Sequence, residues 1–328
     1  MRKRLNNLFF GIGMIAVVVM FFSFDVSLTE LWEYITKAGY WLAAILGLWC
    51  VLYLMNAWAW RVIIQGGGPC TVGFMQLLKL TVSGFALNYV TPVGLMGGEP
   101  YRIMELTSYV GVERATSSVI LYVMMHIFSH FCFWLSSVLI YVFFYPVGWG
   151  MGIVLGLITL FCLLLVTLFI KGYRNGMAVA CVRLGSHIPF LKKHAVRFAE
   201  LHKEKLETID SQIALLHQQR KSTFYSALGL EYTARIVGCL EVWLILNVLT
   251  TDVSFVGCIL IVAFSSLLAN LLFFLPMQLG GREGGFALAV AGLSLSGAYG
   301  VFAALITRVR EMVWIVIGLV LMKIGNRK

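Results

Sequence analysis

The chain has 328 residues, of which 60% are hydrophobic and 12% are charged, and its formal net charge is +10. Soluble domains have roughly 45–50% apolar and about 25% charged residues, so this composition excludes a water-soluble globular protein. Apolar runs repeatedly exceed the roughly 18 residues that cross a bilayer, and they lack the alternation of a β-barrel strand. The sequence therefore predicts an all-α polytopic membrane protein, with residues 1–328 forming a single transmembrane domain.

Six apolar segments are predicted to be full spans, and two further segments end in polar, glycine-rich turns. The full spans are 7–24, 40–63, 115–145, 149–171, 222–249 and 298–322. The other two segments, 71–91 and 253–275, each lead into a proline. Irregular backbone is tolerated at membrane depth only where protein or a water-filled cavity surrounds it. These two segments are therefore expected to be re-entrant helical hairpins.

The two turns resemble each other. PVGLMGGE at 92–99 and PMQLGGRE at 276–283 share proline, leucine, glycine and glutamate at the same offsets, and Asn88 and Asn270 precede them. This pattern predicts an internal repeat, with a first unit at about 71–106 and a second at about 253–293. The alternative is that proline and glycine merely kink ordinary helices.

Basic residues determine the predicted topology. Ten basic residues against four acidic ones lie between Lys171 and Lys221, and the positive-inside rule keeps such a loop in the cytoplasm. With a cytoplasmic N-terminus, this placement requires segment 71–91 to be re-entrant, because one more crossing would put the loop outside. Three spans then separate the repeat units, so the units have opposite orientations. We expect a protein of the cell membrane with both termini in the cytoplasm.

The basic loop at about 172–221 contains an amphipathic segment, 192–217. One hypothesis is that this segment lies on the inner leaflet and binds anionic lipid, and the alternative is a solvated helical linker. A basic segment is also typical of nucleic-acid binding. No recognition module accompanies this one, so no nucleic-acid partner is expected.

Inverted repeats of broken helices are typical of transporters, and charged residues inside spans normally face a cavity or a partner. Glu283 on the second turn and Arg308 in the last span are expected to share a cavity, with Glu99 and Arg102 as first-repeat counterparts. An arginine can hold a phosphate by two hydrogen bonds. The remaining candidates for substrate binding are Asn88, Asn270, Arg282, Glu231 and Arg235. The i,i+4 spacing of the last two is equally compatible with a neutralising pair that holds helices together.

Several other chemistries lack their motifs. The chain has no Walker A loop and no G-x-S-x-G elbow, and no cofactor is expected. His126 and His130 have the spacing of a zinc helix without its acid, which favours buried or interhelically hydrogen-bonded histidines. An intramembrane enzyme or accessory factor of lipid modification, with Glu283 or Glu99 as general base, is an alternative function. The sequence lacks the paired carboxylates or His-acid motif that such transfer usually needs.

The chain resembles the transmembrane, flippase-like domain of lysylphosphatidylglycerol synthetases and their stand-alone relatives. The resemblance rests on FALNYVTPVGLMGGEPYRIMEL at 85–106, on ANLLFFLPMQLGGREGGFALAVAGL at 269–293, and on the tail AALITRVREMVWIVIGLVLM. In that family a glutamate opens the return helix of the second block. Here this position is Glu283, and the preceding Arg282 is a departure from the family pattern.

The resemblance implies that Glu283 and Arg308 line a cavity for a lipid headgroup, with Glu99 and Arg102 in its symmetry mate. The expected function is to move an anionic or zwitterionic phospholipid, or a polyprenyl-phosphate lipid, between leaflets. Full-length synthetases continue into a soluble aminoacyltransferase domain, whereas this sequence stops at Lys328. Lysyltransferase activity is thus implied by family resemblance only, and an ion or solute transporter is a further alternative. The sequence leaves open the lipid, the energy coupling and the oligomeric state.

Overall fold

A computed structural model describes residues 28–90, 97–175, 221–271 and 281–324, with isolated positions at 11 and between 197 and 211. All regular structure in these ranges is α-helical. The helices are α1 (Leu28–Ala38), α2 (Tyr40–Gly66), α3 (Phe74–Val90), α4 (Gly98–Val110), α5 (Val112–Phe144), α6 (Trp149–Asn175), α7 (Lys221–Leu246), α8 (Phe255–Leu271), α9 (Gly281–Ala291) and α10 (Gly297–Lys323).

Three described helices are long and apolar enough to cross a membrane: Tyr40–Gly66, Val112–Phe144 and Trp149–Lys171. Helices α7 and α10 have 26 and 27 residues but carry charged side chains that the protein buries. The bounds of these five helices closely match five of the six segments predicted as spans, and the first three have the length and composition of a membrane span. The predicted span 7–24, the turns at 91–96 and 272–280, and nearly all of segment 192–217 lie outside the described residues.

The described helices form two similar four-helix units, α2–α5 and α7–α10. In each unit a long helix is followed by a 17-residue helix, then by a shorter one of 13 or 11 residues, then by another long helix. The contacts between the units also correspond. Helix α3 packs against α10 as α8 packs against α5, while α2 packs against α7.

Helices α2 and α7 run antiparallel, because residues later in α2 contact residues earlier in α7. Trp49 Nε1 donates a hydrogen bond of 2.9 Å to Glu241 Oε2. One turn later, Leu52 Cδ1 lies 3.8 Å from where a Cβ on Gly238 would be. The two units therefore meet along a pair of equivalent helices that point in opposite directions.

Small residues permit the close crossing of α3 and α10. A Cβ on Gly318 would lie 2.5 Å from Ala86 Cβ and 2.9 Å from the carbonyl oxygen of Val82. The backbones are close enough for Ser83 Oγ to donate a 2.9 Å hydrogen bond to the Gly318 carbonyl. The hydrophobic effect does not drive helices together inside a membrane, because lipid tails are as apolar as the side chains. Helix association there depends on close packing at small residues.

Replacing Gly318 by alanine should destabilise the protein by about 1–3 kcal/mol, because the new methyl group would overlap α3. The measurement is the thermal unfolding midpoint of the detergent-solubilised protein. Gly229→Ala in α7 is the matched control, since no atom lies within 4 Å of its added Cβ. That control should be neutral or slightly stabilising. Equal midpoints for the two variants would contradict the tight crossing.

Candidate functional site

Charged side chains inside the bundle gather into two groups at the junction of the two units. The first cluster consists of Asn88, Glu99, Arg102, His126, Glu231 and Arg235. The second cluster consists of Glu241, Arg282, Glu283, Arg308, Arg310 and Glu311. Each cluster includes residues from the first turn of a short helix, α4 or α9, and from the long helices packed around it.

Glu283 and Arg308, predicted to share a cavity, lie together in the second cluster. Arg308 Nε is 3.2 Å from Glu283 Oε1, and Arg308 Nη1 is 3.5 Å from Glu311 Oε2. Arg282 donates to the other oxygen of Glu311. The Arg308 side chain is 3% exposed and that of Glu283 is 25% exposed. A partly open carboxylate therefore covers a buried guanidinium at the start of α9.

The second cluster continues inward to a fully buried pair that the sequence analysis did not include in the site. Arg310 binds Glu241 through two hydrogen bonds of 2.8 and 3.1 Å, and Arg310 Cζ lies 3.6 Å from the centre of the Trp49 ring. The sequence shows only that Glu241 and Arg310 are opposite charges in two apolar segments far apart in the chain. Nothing local in the sequence indicates that α7 and α10 bring them together.

In the first cluster, Asn88 joins the end of α3 to the start of α4. Its Oδ1 accepts a 2.6 Å hydrogen bond from the backbone N–H of Gly98, and its Nδ2 donates a 2.9 Å hydrogen bond to Glu99 Oε1. The same carboxylate oxygen lies 3.6 Å from Arg102 Nη1. The asparagine thus satisfies one of the free backbone donors at the N-terminus of α4.

Arg102 is enclosed by aromatic rings. Its Cζ lies 4.8 Å from the centre of the Phe85 ring, 5.4 Å from that of Tyr122 and 5.8 Å from that of Trp60. Its Nη2 donates a 3.2 Å hydrogen bond to the carbonyl oxygen of Thr81. Electron-rich ring faces attract a cation, so the rings compensate part of the buried charge.

Glu231 and Arg235 do not form the mutual pair that their i,i+4 spacing allows. Glu231 Oε2 lies 2.8 Å from His126 Nδ1, while Arg235 donates to Ser129 Oγ at 2.6 Å and to the carbonyl oxygen of His126 at 2.5 Å. Both side chains of α7 therefore bind α5, in the other unit. His126 makes the interhelical hydrogen bond expected of it.

The structure does not bring Asn270 into the second cluster. Its side chain is exposed at the end of α8 and donates a 2.8 Å hydrogen bond to the Ser266 carbonyl of its own helix. It therefore does not cap α9 in the way that Asn88 caps α4.

Four buried polar atoms of the first cluster and its neighbour Tyr122 have no hydrogen-bond partner among the described residues. They are Glu99 Oε2, Arg102 Nε, Glu231 Oε1 and Tyr122 Oη. Buried polar groups are normally hydrogen-bonded, so these four atoms can still bind a polar ligand. The described residues contain no group of three or more His, Cys, Asp or Glu that could hold a metal ion.

A family model described as lysylphosphatidylglycerol synthase TM region matches residues 8–319. Because the match covers nearly the whole chain, the protein belongs to this family and is a helical membrane protein, which confirms the resemblance inferred from the sequence. No match was found among curated proteins or among solved structures.

Replacing Arg310 by methionine should lower the free energy of unfolding by about 3–5 kcal/mol, because it leaves Glu241 as an uncompensated buried charge. The double variant Arg310→Met with Glu241→Leu should recover most of this loss, since it removes both charges. Glu283→Gln, at the partly exposed edge of the cluster, is the comparison and should cost much less. Thermal unfolding in detergent measures all three. An Arg310→Met midpoint no lower than that of Glu283→Gln would rule out a structural role for the pair.

Proposed function

We propose that this member of the lysylphosphatidylglycerol synthase TM-region family moves an anionic or zwitterionic lipid, a phospholipid or a polyprenyl-phosphate lipid, between leaflets. The headgroup passes through the two clusters while the tails remain in hydrocarbon. The observation that carries the proposal is the Glu283–Arg308 pair, in which a partly exposed carboxylate covers a buried guanidinium at 3.2 Å.

The Glu283 carboxylate acts as an internal substitute for a lipid phosphate. Both groups present oxygen acceptors to a guanidinium, and arginine binds either through charge-assisted hydrogen bonds. A phosphate that displaces Glu283 keeps the Arg308 charge paired throughout the exchange. The N-terminus of α9, in whose first turn Glu283 lies, adds the positive end of a helix dipole, which favours an anion.

The packing within each unit supports a re-entrant arrangement of α3–α4 and α8–α9, because α3 packs against α4 and α8 packs against α9. With α2 and α7 antiparallel, the two hairpins enter from opposite faces among six full spans. Two units of this kind can exchange conformations and so expose a central site alternately to each side.

A side cavity of about 290 Å³ offers a place for a lipid tail. It lies between α5, α6, α8 and α9, and its walls are almost entirely apolar. Among its lining residues are Trp134, Tyr141, Leu155, Phe264, Leu288 and Leu293. Phe264 and Leu288 are exposed on the protein surface, so the cavity is continuous with the surrounding hydrocarbon. We assign it to an acyl or prenyl chain of the transported lipid.

Arg308→Lys should reduce leaflet exchange by about ten- to hundredfold, because lysine retains the charge and loses the two-pronged geometry. The assay uses reconstituted vesicles with fluorescent phosphatidylglycerol and a membrane-impermeant quencher. Arg61→Lys in α2 is the matched control, since Arg61 contacts the Phe74 ring away from both clusters. Wild-type exchange in Arg308→Lys, with a normal unfolding midpoint, would contradict this site.

Leu155→Trp should reduce exchange of the same lipid by about tenfold, because the larger side chain excludes about two methylene groups from the side cavity. Leu157→Trp, two residues further along α6, serves as the control because Leu157 is exposed and does not line the cavity. Equal exchange rates for the two variants would remove the cavity from the transport path.

A further inference from the structure

His126 and Glu231 form a pair whose members differ sharply in exposure. Nδ1 of His126 lies 2.8 Å from Glu231 Oε2, and the histidine side chain is 33% exposed whereas that of the glutamate is 1% exposed. The second oxygen of the carboxylate, Oε1, is buried without a partner among the described residues. The histidine ring is therefore the exposed member of the pair, through which a proton reaches Glu231 most directly.

The groups around this pair are mixed in charge. The titratable or charged side chains that face it are Arg235 on α7, Tyr122 and His130 on α5, and Glu99 and Arg102 on α4, with Glu105 buried one turn further along α4. From α3, the Phe85 ring packs 5.9 Å from the His126 ring, centre to centre. Arg235 is occupied by Ser129 and by the His126 carbonyl, so it leaves the second Glu231 oxygen unbound.

We propose that Glu231 is the proton acceptor that couples lipid movement to protonation, and that His126 is its relay to water. This inference rests on the proposed lipid transport and deepens it by naming the coupling ion. It also changes the role of Glu231, which was predicted above as a candidate substrate-binding residue.

The transfer conserves charge and atoms. In the starting state Glu231 is ionised and accepts a hydrogen bond from Nδ1–H of neutral His126. A proton from water binds Nε2, and the Nδ1 proton moves to Glu231 Oε2. The histidine is then neutral with its proton on Nε2, and the glutamate is a neutral carboxylic acid that donates to Nδ1. One proton has entered the site and one buried negative charge has been removed.

Protonation changes what the first cluster can bind. Arg102 and Arg235 are balanced by Glu99 and Glu231 while both carboxylates are ionised, and these four groups carry a net charge of +1 once Glu231 is neutral. An anionic headgroup then restores neutrality. Because Glu231 and His126 lie on different units, their hydrogen bond is also made or broken when the units move relative to each other. Proton binding and lipid binding are thus linked at one place.

The direct test is proton uptake on lipid binding. Short-chain phosphatidylglycerol is added to wild-type protein in weakly buffered detergent solution containing a pH indicator. We expect uptake of up to one proton per lipid and, by linkage, an apparent affinity that falls as the pH rises, by up to about tenfold per pH unit. The wild-type measurement alone tests the inference, whether or not the variants fold.

Glu231→Gln removes the acceptor and keeps its shape. This variant should bind phosphatidylglycerol as tightly as wild type at low pH, without proton uptake and without pH dependence. His126→Gln should keep proton uptake and slow it, because the carboxylate remains and its relay to water is lost. His130→Gln is the matched control, one turn away on the same helix and without a carboxylate partner among the described residues; it should keep the wild-type pH profile.

The outcomes separate this inference from the function on which it rests. Wild-type protein that exchanges lipid between leaflets without proton uptake, and equally fast at every pH, overturns the coupling and leaves lipid transport standing. A folded Glu231→Gln variant that keeps the wild-type pH dependence overturns the assignment to Glu231. Absence of both lipid binding and exchange at every pH contradicts the proposed function and the inference together.

Discussion

Pairing of buried charge is the constraint on which the arrangement of helices depends. An ionised side chain left alone in a low-dielectric interior costs several kcal/mol, so each charged residue within α7 and α10 needs a partner from another element. The Glu241–Arg310 pair joins α7 to α10, and Arg282 and Glu283 of α9 join the same network through Glu311 and Arg308. Sliding any of these helices by one turn would separate several pairs at once.

The sequence predicted the long helices and the pair at the second turn, and it missed most of the other pairings. Apolar run length is a local property, so α2, α5, α6, α7 and α10 followed from it. The comparison of two similar turns placed Glu283 with Arg308, which are 25 residues apart. The i,i+4 spacing did not identify the partner of Glu231, which is His126, 105 residues away. The packing of α5 against α7 decides between the possible partners.

The two units are alike in the order of their helices and differ in the placement of two corresponding asparagines. Asn88 caps α4, whereas the corresponding Asn270 is exposed and, within the part of the chain that the structure describes, donates to the Ser266 carbonyl of its own helix. Repeats that exchange conformations must differ from each other in any single state, since one side of the site is closed while the other is open. Within the transport proposal, the different placement of Asn88 and Asn270 corresponds to these two conditions.

Aromatic rings separate the two clusters and contact both. The Tyr53 ring of α2 packs 5.7 Å from Phe85 and 5.6 Å from Trp49, centre to centre. Phe85 in turn faces Arg102, and Trp49 faces Arg310. Within the transport proposal, a headgroup that passes from one cluster to the other displaces this layer. Desolvated cation–π contacts are worth about 2 kcal/mol, so the rings can hold an arginine while its carboxylate partner is exchanged for a phosphate. A layer of aliphatic side chains would separate the two clusters equally well. It would leave each arginine uncompensated during the exchange of carboxylate for phosphate that the transport proposal requires.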